Sequence, residues 1–319
     1  MGRDNWRITG FGGFFLPFMS RKAEIAKKER ESVMRYIQAK QILSKDLNIN
    51  IYRGCTHGCI YCDSRSSCYQ IDDFENVMVK ENALDLLGQE LAKKRSKGII
   101  TSGSMSDPYV HIEKDLQYTR KMLEIILEYG FGINILTKSA LILRDLDLYR
   151  KINAKNRAIV NLTITTFDDK LCSILEPHVS KTSERFEVLK TFSQAGITTG
   201  IWLGPILPFI NDTPENIGRI VDAAHEAGVS YILVFDFGLT LRTGNREYFY
   251  AQLDRHFPGL KYDYQRLYGN QFEVPSLNRT KLWEVFLERC QKYGIITDFQ
   301  TIWDLRKSRP QIQEQLSLF

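Results

Sequence analysis

Long hydrophobic runs are missing from this 319-residue sequence. No segment reaches the roughly 20 uninterrupted apolar residues that a membrane-spanning helix needs. The first 22 residues have basic flanks and a short aromatic run, but they contain no long aliphatic segment and no small-residue cleavage site. We therefore expect a folded arm there instead of a signal peptide, and a soluble cytoplasmic protein overall.

Cysteine is scarce, and its distribution is uneven. Four of the six cysteines lie between Asn50 and Tyr69. Such clustering without an export signal argues against a disulfide scaffold and favours metal or redox chemistry. The formal net charge of +5 is mild, so it permits a nucleic-acid or phosphate partner without requiring one.

Short β-rich runs alternate with longer amphipathic stretches between residues 47 and 241. Six strands are predicted, in LNINIYRG, GIITSGS, GINILTKS, AIVNLTITT, ITTGIWLGPIL and SYILVFDFG. Strands separated by helices and glycine-marked turns are typical of a parallel βα repeat, so we predict an α/β fold with a complete or open barrel. A doubly wound sheet is the rival, but no G-x-G-x-x-G motif follows the first strand. In both folds, ligands bind at the carboxyl ends of the strands.

The composition divides the chain into four predicted regions. Residues 1–45 form an N-terminal arm whose helix runs from Ser20 to about Leu43, and residues 46–241 form the βα core. Residues 242–310 are richer in aromatic and polar side chains and predict a C-terminal helical extension. Residues 311–319 form a polar tail that we expect to be flexible.

The stretch CTHGCIYC has the spacing C-x3-C-x2-C at Cys55, Cys59 and Cys62. Structural zinc usually takes four ligands from two separated C-x2-C pairs, and only one such pair exists here. Thiolates in a compact run are typical of iron-sulfur clusters, and three ligands on a four-iron cluster leave one iron open. Gly54 and Gly58 would let the backbone curl around the cluster.

With its aromatic residue before the third cysteine, this stretch resembles the radical S-adenosylmethionine (SAM) superfamily. The resemblance implies a partial (βα)6 TIM-type barrel and a [4Fe-4S] cluster held by Cys55, Cys59 and Cys62. It also implies that the open iron binds the methionine amino and carboxylate groups of SAM. One-electron reduction then cleaves SAM to a 5'-deoxyadenosyl radical, which abstracts a hydrogen atom from the substrate. The six strands agree with this fold.

Within the superfamily, four segments resemble spore photoproduct lyase and bacterial proteins of the DNA repair photolyase type. They are SDPYVHIEKDLQYTR, LTKSALILRDLDLY, LTITTFDDKLCSILEP and PILPFINDT, and the resemblance runs from about Gln38 to Leu241. It implies a DNA substrate and a lyase-like reaction. The alternatives are a radical SAM enzyme that modifies RNA, a peptide or a small metabolite, and a non-catalytic iron-sulfur or zinc module that binds nucleic acid.

The resemblance places cofactor contacts at or just after the strand ends. The residues expected to bind the cofactor are Ser102, Ser104, Asp107, Glu113, Lys138, Ser139, Thr163 and Thr165. Lys138 suits the methionine carboxylate or the ribose. Thr163 and Thr165 share one face of their strand, because alternate residues point the same way. The alternatives are a surface charge for Lys138 and core filling for the threonines.

Two further residues are assigned catalytic roles through the resemblance. Arg185, with the segment LEP from Leu175 to Pro177, resembles the family's substrate-side loop and its basic partner, and a helix-surface arginine is the alternative. In spore photoproduct lyase a cysteine donates a hydrogen atom from the position that aligns with Ser104, and a serine O–H bond is too strong for this step. Cys68 is therefore the candidate donor. Its alternatives are a resting-state cluster ligand and an ordinary small thiol.

The five histidines form no ligand-spaced pair in the sequence. His57 lies within the cysteine loop, where we expect it to face solvent. The alternative is a hydrogen bond to a cluster sulfur or to SAM.

The chain ends in QLSLF, which resembles the pentapeptide that binds the bacterial sliding clamp. In that motif a glutamine forms hydrogen bonds while a leucine and a Leu-Phe pair fill an apolar pocket. The resemblance implies a sliding-clamp partner that binds Gln315, Leu316, Ser317, Leu318 and Phe319. The alternative is a tail that packs on its own domain.

Overall fold

The chain divides at Arg35 into two units, Met1–Arg35 and Tyr36–Phe319. The computed structural model describes residues 35–305 and 307, so the account below concerns the second unit. Most of the predicted N-terminal arm and the whole QLSLF tail lie outside the described residues.

Six parallel strands form the main sheet of the described chain, in the order β2-β5-β6-β7-β8-β9. The spatial order of these strands is the same as their order in the sequence. A doubly wound sheet requires a reversal of that order, so the rival prediction of a doubly wound sheet is wrong. The predicted partial barrel is confirmed, with a gap between β2 and β9 that we call the lateral opening. The strands are β1 (Arg35–Ile37), β2 (Asn48–Ile49), β3 (Tyr52–Arg53), β4 (Met78–Lys80), β5 (Ile99–Ser102), β6 (Gly132–Thr137), β7 (Ala158–Ile164), β8 (Thr198–Leu203), β9 (Tyr231–Leu233), β10 (Gly238–Thr240) and β11 (Glu273–Pro275).

Helices alternate with the strands of the main sheet. They are α1 (Ala83–Ala92), α2 (Glu113–Leu116), α3 (Tyr118–Glu128), α4 (Leu146–Lys155), α5 (Asp169–Leu175), α6 (Thr182–Gln194), α7 (Pro214–Glu226), α8 (Asn245–His256), α9 (Leu260–Tyr268), α10 (Arg279–Tyr293) and α11 (Phe299–Leu305). Short 3₁₀ turns cover Asp63–Arg65, Ser67–Tyr69 and Ala140–Asp145. Among the described residues, no helix is long and apolar enough to cross a membrane.

The two faces of the main sheet bury different side chains. Ile100, Val160 and Ile201 belong to the large apolar core that includes helix residues such as Leu123 and Leu189. Because side chains alternate along a strand, the other face turns toward the barrel interior, which we call the lumen. The lumen-facing residues are Thr101, Asn134, Leu136, Ile159, Asn161, Thr163, Gly200, Trp202, Tyr231 and Leu233.

The lumen has a polar floor. The Tyr231 hydroxyl donates to Asn161 Oδ1, and Asn161 Nδ2 donates to Asn134 Oδ1 at 2.7 Å. Gly200 lies opposite the Tyr231 ring, and a Cβ at this position would collide with it. The glycine on β8 therefore allows a tyrosine from β9 to lie across the barrel.

Several segments differ from the sequence prediction. The predicted helix up to Leu43 is wrong for residues 35–43, because Arg35–Ile37 forms β1, where Ile37 O accepts from Glu81 N at 3.0 Å. The predicted strand over residues 47–54 divides into β2, which pairs with β5, and β3, which pairs with β4 in a small antiparallel sheet. The predicted helix over residues 114–130 is interrupted at Gln117, whose φ is 55°.

Beyond residue 241 the described chain contains the predicted helices. A two-stranded sheet, β10 with β11, was not predicted. Between α10 and α11, Ile296 pairs in parallel with Tyr231, and Ile232 N donates to Ile296 O at 3.0 Å. The chain therefore extends the sheet by one bridge at the β9 edge before α11 begins.

Candidate functional site

The three cysteines of the C-x3-C-x2-C motif lie in the loop that follows β3. Cys55 and Cys59 are buried, and Cys62 is partly buried. Cys55 N donates to Phe74 O at 2.8 Å. Gly54 has a φ of 88°, and a Cβ there would lie 2.6 Å from Phe74 O. The tight path of the loop therefore requires glycine at this position, as the sequence indicated.

Burial and nearby charges shift the pKa values of the cysteine thiols. Burial is the main cause that raises the pKa of Cys55 to about 12, and the negative charge of Asp107 adds to it. The backbone N–H groups of His57 and Asp107 donate to the Cys55 sulfur and oppose this rise. Burial also raises the pKa of Cys59 well above its usual value, while the positive charge of Lys138 lowers it. A bound metal would displace the thiol protons.

The chemistry of these thiols fits an iron-sulfur cluster. Three cysteines come from one compact run, two of them are buried, and thiolates in compact runs are typical ligands of such clusters. Cys55, Cys59 and Cys62 could therefore hold a [4Fe-4S] cluster, with the N–H donors to Cys55 tuning it.

A buried polar chain links the cysteine loop to β7. The Tyr61 hydroxyl donates to Glu176 Oε1, and Arg185 Nη2 donates to Glu176 Oε2 at 2.6 Å. Arg185 Nη1 then donates to Thr163 O at 2.9 Å. Burial would raise the pKa of Glu176, but the charges of Arg185 and Lys138 hold it below its usual value. This network keeps an ionised carboxylate between the cysteine loop and the sheet.

Arg185 has a different role from the predicted one. Its side chain is 0 % exposed, its Nε donates to Ser180 O at 2.8 Å, and its Nη2 also contacts Cys172 Sγ at 3.5 Å. Every guanidinium nitrogen therefore contacts a protein group. The predicted pairing with the LEP segment is present through Glu176, but Arg185 is a positioning residue and not the predicted substrate contact. The alternative of a helix-surface arginine is also wrong.

Asp107 connects the end of β6 to the cysteine loop. Its Oδ1 accepts from Thr137 Oγ1 at 2.7 Å and from Tyr109 N at 2.8 Å. Its Oδ2 accepts from Lys138 N at 2.9 Å and lies 3.4 Å from His57 Nδ1. The side chain is buried, so it positions Lys138 and the loop through these contacts. The predicted direct cofactor contact of Asp107 stays a prediction.

Thr163 faces the lumen by strand alternation, and Lys138 and Thr165 come directly after the carboxyl ends of β6 and β7. The Thr165 hydroxyl is buried and has no hydrogen-bond partner among the described residues. Burial would lower the pKa of Lys138, but the negative charges of Cys59, Glu176 and Asp107 raise it overall. The carboxyl ends of these strands therefore offer a protonated amine and an unsatisfied hydroxyl to a ligand. The shared face of Thr163 and Thr165 and the contact of these residues with SAM stay predictions.

Three predicted cofactor serines do not join this group. Ser102 shares its face of β5 with Ile100, so alternation turns it toward the helices and not toward the lumen. Ser139 Oγ accepts from Leu141 N at 3.3 Å and caps the 3₁₀ turn Ala140–Asp145. Ser104 lies in the loop after β5 with its side chain exposed.

Glu113 belongs to a separate buried network. Its Oε2 accepts from the Tyr52 hydroxyl at 2.5 Å and from Thr119 N at 2.9 Å. Its Oε1 accepts from Arg144 Nη2 at 2.6 Å, and Arg144 also pairs with Asp145. Both carboxylate oxygens are thus engaged by protein donors. The structure gives Glu113 a structural role in place of the predicted contact with the cofactor.

Cys68 lies apart from the buried thiols. Its side chain is exposed, and Arg242 Nη1 is 3.7 Å from its sulfur. It sits in the short turn Ser67–Tyr69, six residues beyond Cys62. Its role as a hydrogen-atom donor stays a prediction.

Three histidines meet beside the cysteine loop, which sequence spacing alone did not reveal. The ring centroids of His57 and His111 are 5.7 Å apart, and those of His111 and His178 are 6.5 Å apart. His57 is buried and does not face solvent as expected. His111 and His178 lie in the segments that follow the parallel strands β5 and β7, whose carboxyl ends meet at one rim, and His57 lies in the cysteine loop. For His111 and His178, that position in the βα pattern is the signal that could have identified the group.

Comparison with known proteins agrees with this geometry. The family model described as Radical SAM superfamily matches residues 49–212. An uncharacterized protein of Methanocaldococcus jannaschii is 36% identical over 204 residues, which cover 63% of this chain and 74% of that protein.

Two solved structures are similar in fold. Spore photoproduct lyase complexed with dinucleoside spore photoproduct has a TM-score of 0.61 and 15% sequence identity, covering 90% of this chain and 85% of that chain. The radical S-adenosylmethionine methyltransferase TsrM from Kitasatospora setae, with tryptophan substrate and a SAM analog bound, has a TM-score of 0.50 and 13% identity, covering 84% of this chain and 53% of that chain. At these identities the likeness concerns the fold alone.

The family match covers just over half of the sequence and includes the cysteine loop and β3 to β8. Enzymes of this family use a [4Fe-4S] cluster and SAM, so these are the cofactors of this chain. The sequence resemblance is confirmed, and the protein belongs to the radical SAM superfamily.

Proposed function

We propose that this radical SAM enzyme reductively cleaves SAM and acts on nucleic acid, in DNA repair or nucleic-acid modification. The observation that carries the proposal is the position of the buried cysteine loop, at the rim of a lumen that offers Lys138 and the unpaired Thr165 hydroxyl. A cluster site, a cation and a free hydroxyl around one opening are what a bound SAM requires.

When bound, the cluster and SAM would supply the radical chemistry, and this chain supplies their placement. Cys55, Cys59 and Cys62 would hold the cluster. Lys138, protonated and fixed through its own backbone N–H on Asp107, attracts the methionine carboxylate. The Thr165 hydroxyl gains its missing hydrogen bond from the ligand.

A nucleic-acid substrate is supported by two observations. The segments from about Gln38 to Leu241 resemble spore photoproduct lyase, and a structure of that enzyme is complexed with a dinucleoside photoproduct. The formal charge of +5 is compatible with a polyanion. The TsrM structure contains a tryptophan substrate, so a peptide or small aromatic metabolite is the rival substrate class, together with RNA.

The return of a hydrogen atom to the substrate needs a donor, and Ser104 cannot be that donor. We assign the role of hydrogen-atom donor to Cys68, which lies within the same loop as the cluster cysteines. The Cys68→Ala variant should cleave SAM and yet fail to complete turnover. Full turnover by this variant on the true substrate would exclude Cys68 as the donor.

Recruitment to the sliding clamp is proposed for the QLSLF terminus. Deletion of residues 315–319 should abolish pull-down of purified bacterial clamp. The same deletion should leave the iron content unchanged, because the pentapeptide is remote in sequence from the cysteine loop. Unaltered pull-down would reject this partner.

The central experiment measures 5'-deoxyadenosine from anaerobically reconstituted protein with dithionite and SAM. Ultraviolet-irradiated DNA, undamaged DNA, RNA and a tryptophan-containing peptide are added in parallel. We expect one of the DNA samples to stimulate product formation most strongly. Stimulation only by the peptide would reject the nucleic-acid proposal, and native zinc with no SAM cleavage would reject reductive SAM cleavage itself.

A further inference from the structure

The residues that follow the third cluster cysteine are in contact with the C-terminal part of the chain. Ser67 N donates to Thr243 O at 2.9 Å. Gly244 precedes α8 with a φ of 97°, and a Cβ at this position would lie 2.9 Å from Arg65 O. The family match ends at residue 212, so these contacts come from a region outside it. The start of α8 therefore rests directly on the chain that follows Cys62.

Arg65 is at the centre of this contact. Its guanidinium carbon lies 3.9 Å from the ring centroid of Tyr248 on α8 and 4.9 Å from that of Phe74. Phe74 O is also the acceptor for Cys55 N at 2.8 Å. Arg65 N donates to Cys62 O at 3.2 Å. The cation is therefore held against two aromatic rings, beside the segments that carry two of the proposed cluster ligands.

The environment of Arg65 differs from that of an ordinary surface ion pair. Its side chain is 10% exposed, whereas Glu75, which accepts from Arg65 Nη2 at 2.7 Å, is 59% exposed. Arg65 Nε is buried and has no hydrogen-bond partner among the described residues. A buried donor without a partner is rare, and a bound group or a redox role is among its explanations. The guanidinium charge is screened by water on the side of Glu75 and much less on the side of the cysteine loop.

Tyr248 lies within electrostatic range of both the cation and the thiols. Burial is the main cause that raises its pKa, and the positive charge of Arg65 opposes this rise. The negative charges of Glu75, Cys59 and Cys62 raise the pKa further. Arg65 and two of the three cluster cysteines therefore surround one tyrosine.

A fixed positive charge affects the reduction of an iron-sulfur cluster. Reduction moves one electron from an external one-electron donor to the cluster and its thiolates, and it forms and breaks no bond. Because their negative charge rises by one, a nearby cation stabilises the reduced form more than the oxidised form and raises the reduction potential. Net charge, hydrogen bonds to sulfur and solvent exposure set this potential. Arg65 supplies the charge, its unpaired Nε–H is a further donor, and the start of α8 covers the loop.

We propose that Arg65, held against Tyr248 at the start of α8, raises the reduction potential of the bound [4Fe-4S] cluster. The inference rests on a cluster at Cys55, Cys59 and Cys62. It goes beyond the proposed function, because it holds for any substrate. It gives the C-terminal region a part in the reduction step, since α8 fixes the position of the cation.

The test measures the midpoint potential of reconstituted full-length protein without substrate, by reductive titration followed by electron paramagnetic resonance. Arg65→Met removes the charge and keeps an apolar stem, so reduction should become about tenfold less favourable, which is about 59 mV for one electron. Arg65→Lys keeps a charge and should retain most of the wild-type potential. Glu75→Gln removes the opposing carboxylate, so its potential should shift upward. This shift should be smaller, because Glu75 is exposed.

Arg289→Met is the matched control, because Arg289 pairs with Asp222 between α10 and α7 and not in the cysteine loop. Its potential should equal that of wild type. The opposite signs expected for Arg65→Met and Glu75→Gln distinguish charge from packing, since a loss of packing would shift both in the same direction. An unchanged potential in Arg65→Met, or equal shifts in Arg65→Met and Arg65→Lys, would overturn the proposal.

Iron content and circular dichroism show whether each variant has assembled. If Arg65→Met binds no iron, the other two variants decide. An upward shift in Glu75→Gln together with the wild-type potential in Arg65→Lys then supports the proposal, and any other result rejects it. If the wild-type protein holds no redox-active cluster, this proposal and reductive SAM cleavage are both rejected. If the cluster is present and Arg65 has no effect on it, the proposed function stands without this inference.

Discussion

The two sides of the lumen are built in opposite ways. On the cysteine side, Tyr61, Glu176 and Arg185 are buried, and their polar atoms are engaged by other protein groups. On the side of β9 and α11, the side chains of Phe235 and Trp303 are 70% and 49% exposed. The first side resembles a packed core with an ion pair inside it, and the second keeps large apolar side chains at the surface.

The cysteine side contains the proposed cluster ligands, and a rigid, fully hydrogen-bonded surround lowers the cost of positioning a cofactor that is the same in every turnover. The variants below perturb this side, and the control variants Cys68→Ala, Arg266→Met and Thr199→Val lie outside its buried network.

The largest effect is expected from the cysteine loop. Cys55→Ala removes one of three thiolates and should abolish cluster assembly, measured as iron content and visible absorption after anaerobic reconstitution. Cys68→Ala is the matched control, because this exposed thiol is not among the three proposed ligands, and it should retain its iron. Loss of iron in Cys68→Ala would instead make it a ligand.

The next largest effect concerns the buried ion pair. Arg185→Met leaves the Glu176 carboxylate buried without its main partner, which should lower the free energy of unfolding by about 3–5 kcal/mol. Arg266→Met, at the exposed pair with Asp263, should cost less than about 1 kcal/mol. Urea unfolding of both variants measures this. Equal small losses would show that the network around Arg185 is dispensable.

A smaller effect is expected in the pH dependence of stability. The pKa of Glu176 is lower in the folded protein than its usual value of 4.5, so the unfolded chain binds more protons near that pH. Its contribution is therefore present above about pH 4.5 and is lost as the pH falls through the folded-state pKa. Glu176→Gln should flatten this part of the stability profile. An unchanged acid limb in urea titrations would contradict the assignment.

The smallest effect distinguishes two buried hydroxyls at different places in the sheet. Thr165 and Thr199 both have a buried Oγ1 without a hydrogen-bond partner among the described residues. Thr165 follows the carboxyl end of β7, whereas Thr199 lies near the start of β8 on the face of Ile201. Thr165→Val should weaken SAM binding about tenfold, which is about 1.4 kcal/mol. Thr199→Val should leave it unchanged, and calorimetry on reconstituted protein compares them.

Local patterns predicted the parts of the site that depend on neighbours in sequence. The spacing of Cys55, Cys59 and Cys62 and the predicted shared face of Thr163 and Thr165 are properties of a few consecutive residues. The phase of a strand, meaning which alternate residues face the lumen, is not fixed by a few consecutive residues. Ser102 was therefore predicted on the wrong face of β5 by one position. A one-residue error reverses every side chain in a strand.

Long-range pairing was the other source of error. The sequence linked Arg185 to the LEP segment that contains Glu176, but it did not indicate that Thr163 O binds Arg185 or that Tyr61 binds Glu176. Glu113 meets Tyr52 only after the sheet has formed. The three histidines are far apart along the chain and meet only at the rim. The packing of Ile302 on Ile159 and Tyr231 depends on α11 returning to the barrel, which helix periodicity does not encode.

The single bridge between Ile296 and Tyr231 has a consequence for local stability. The main sheet is already complete when the chain reaches β9, and the segment that leads into α11 is attached afterwards by few backbone hydrogen bonds. Segments held by few backbone contacts open at a lower free energy than the strands of a core. Amide hydrogens of α11 should therefore exchange with solvent faster than those of β7, while the parallel sheet stays closed.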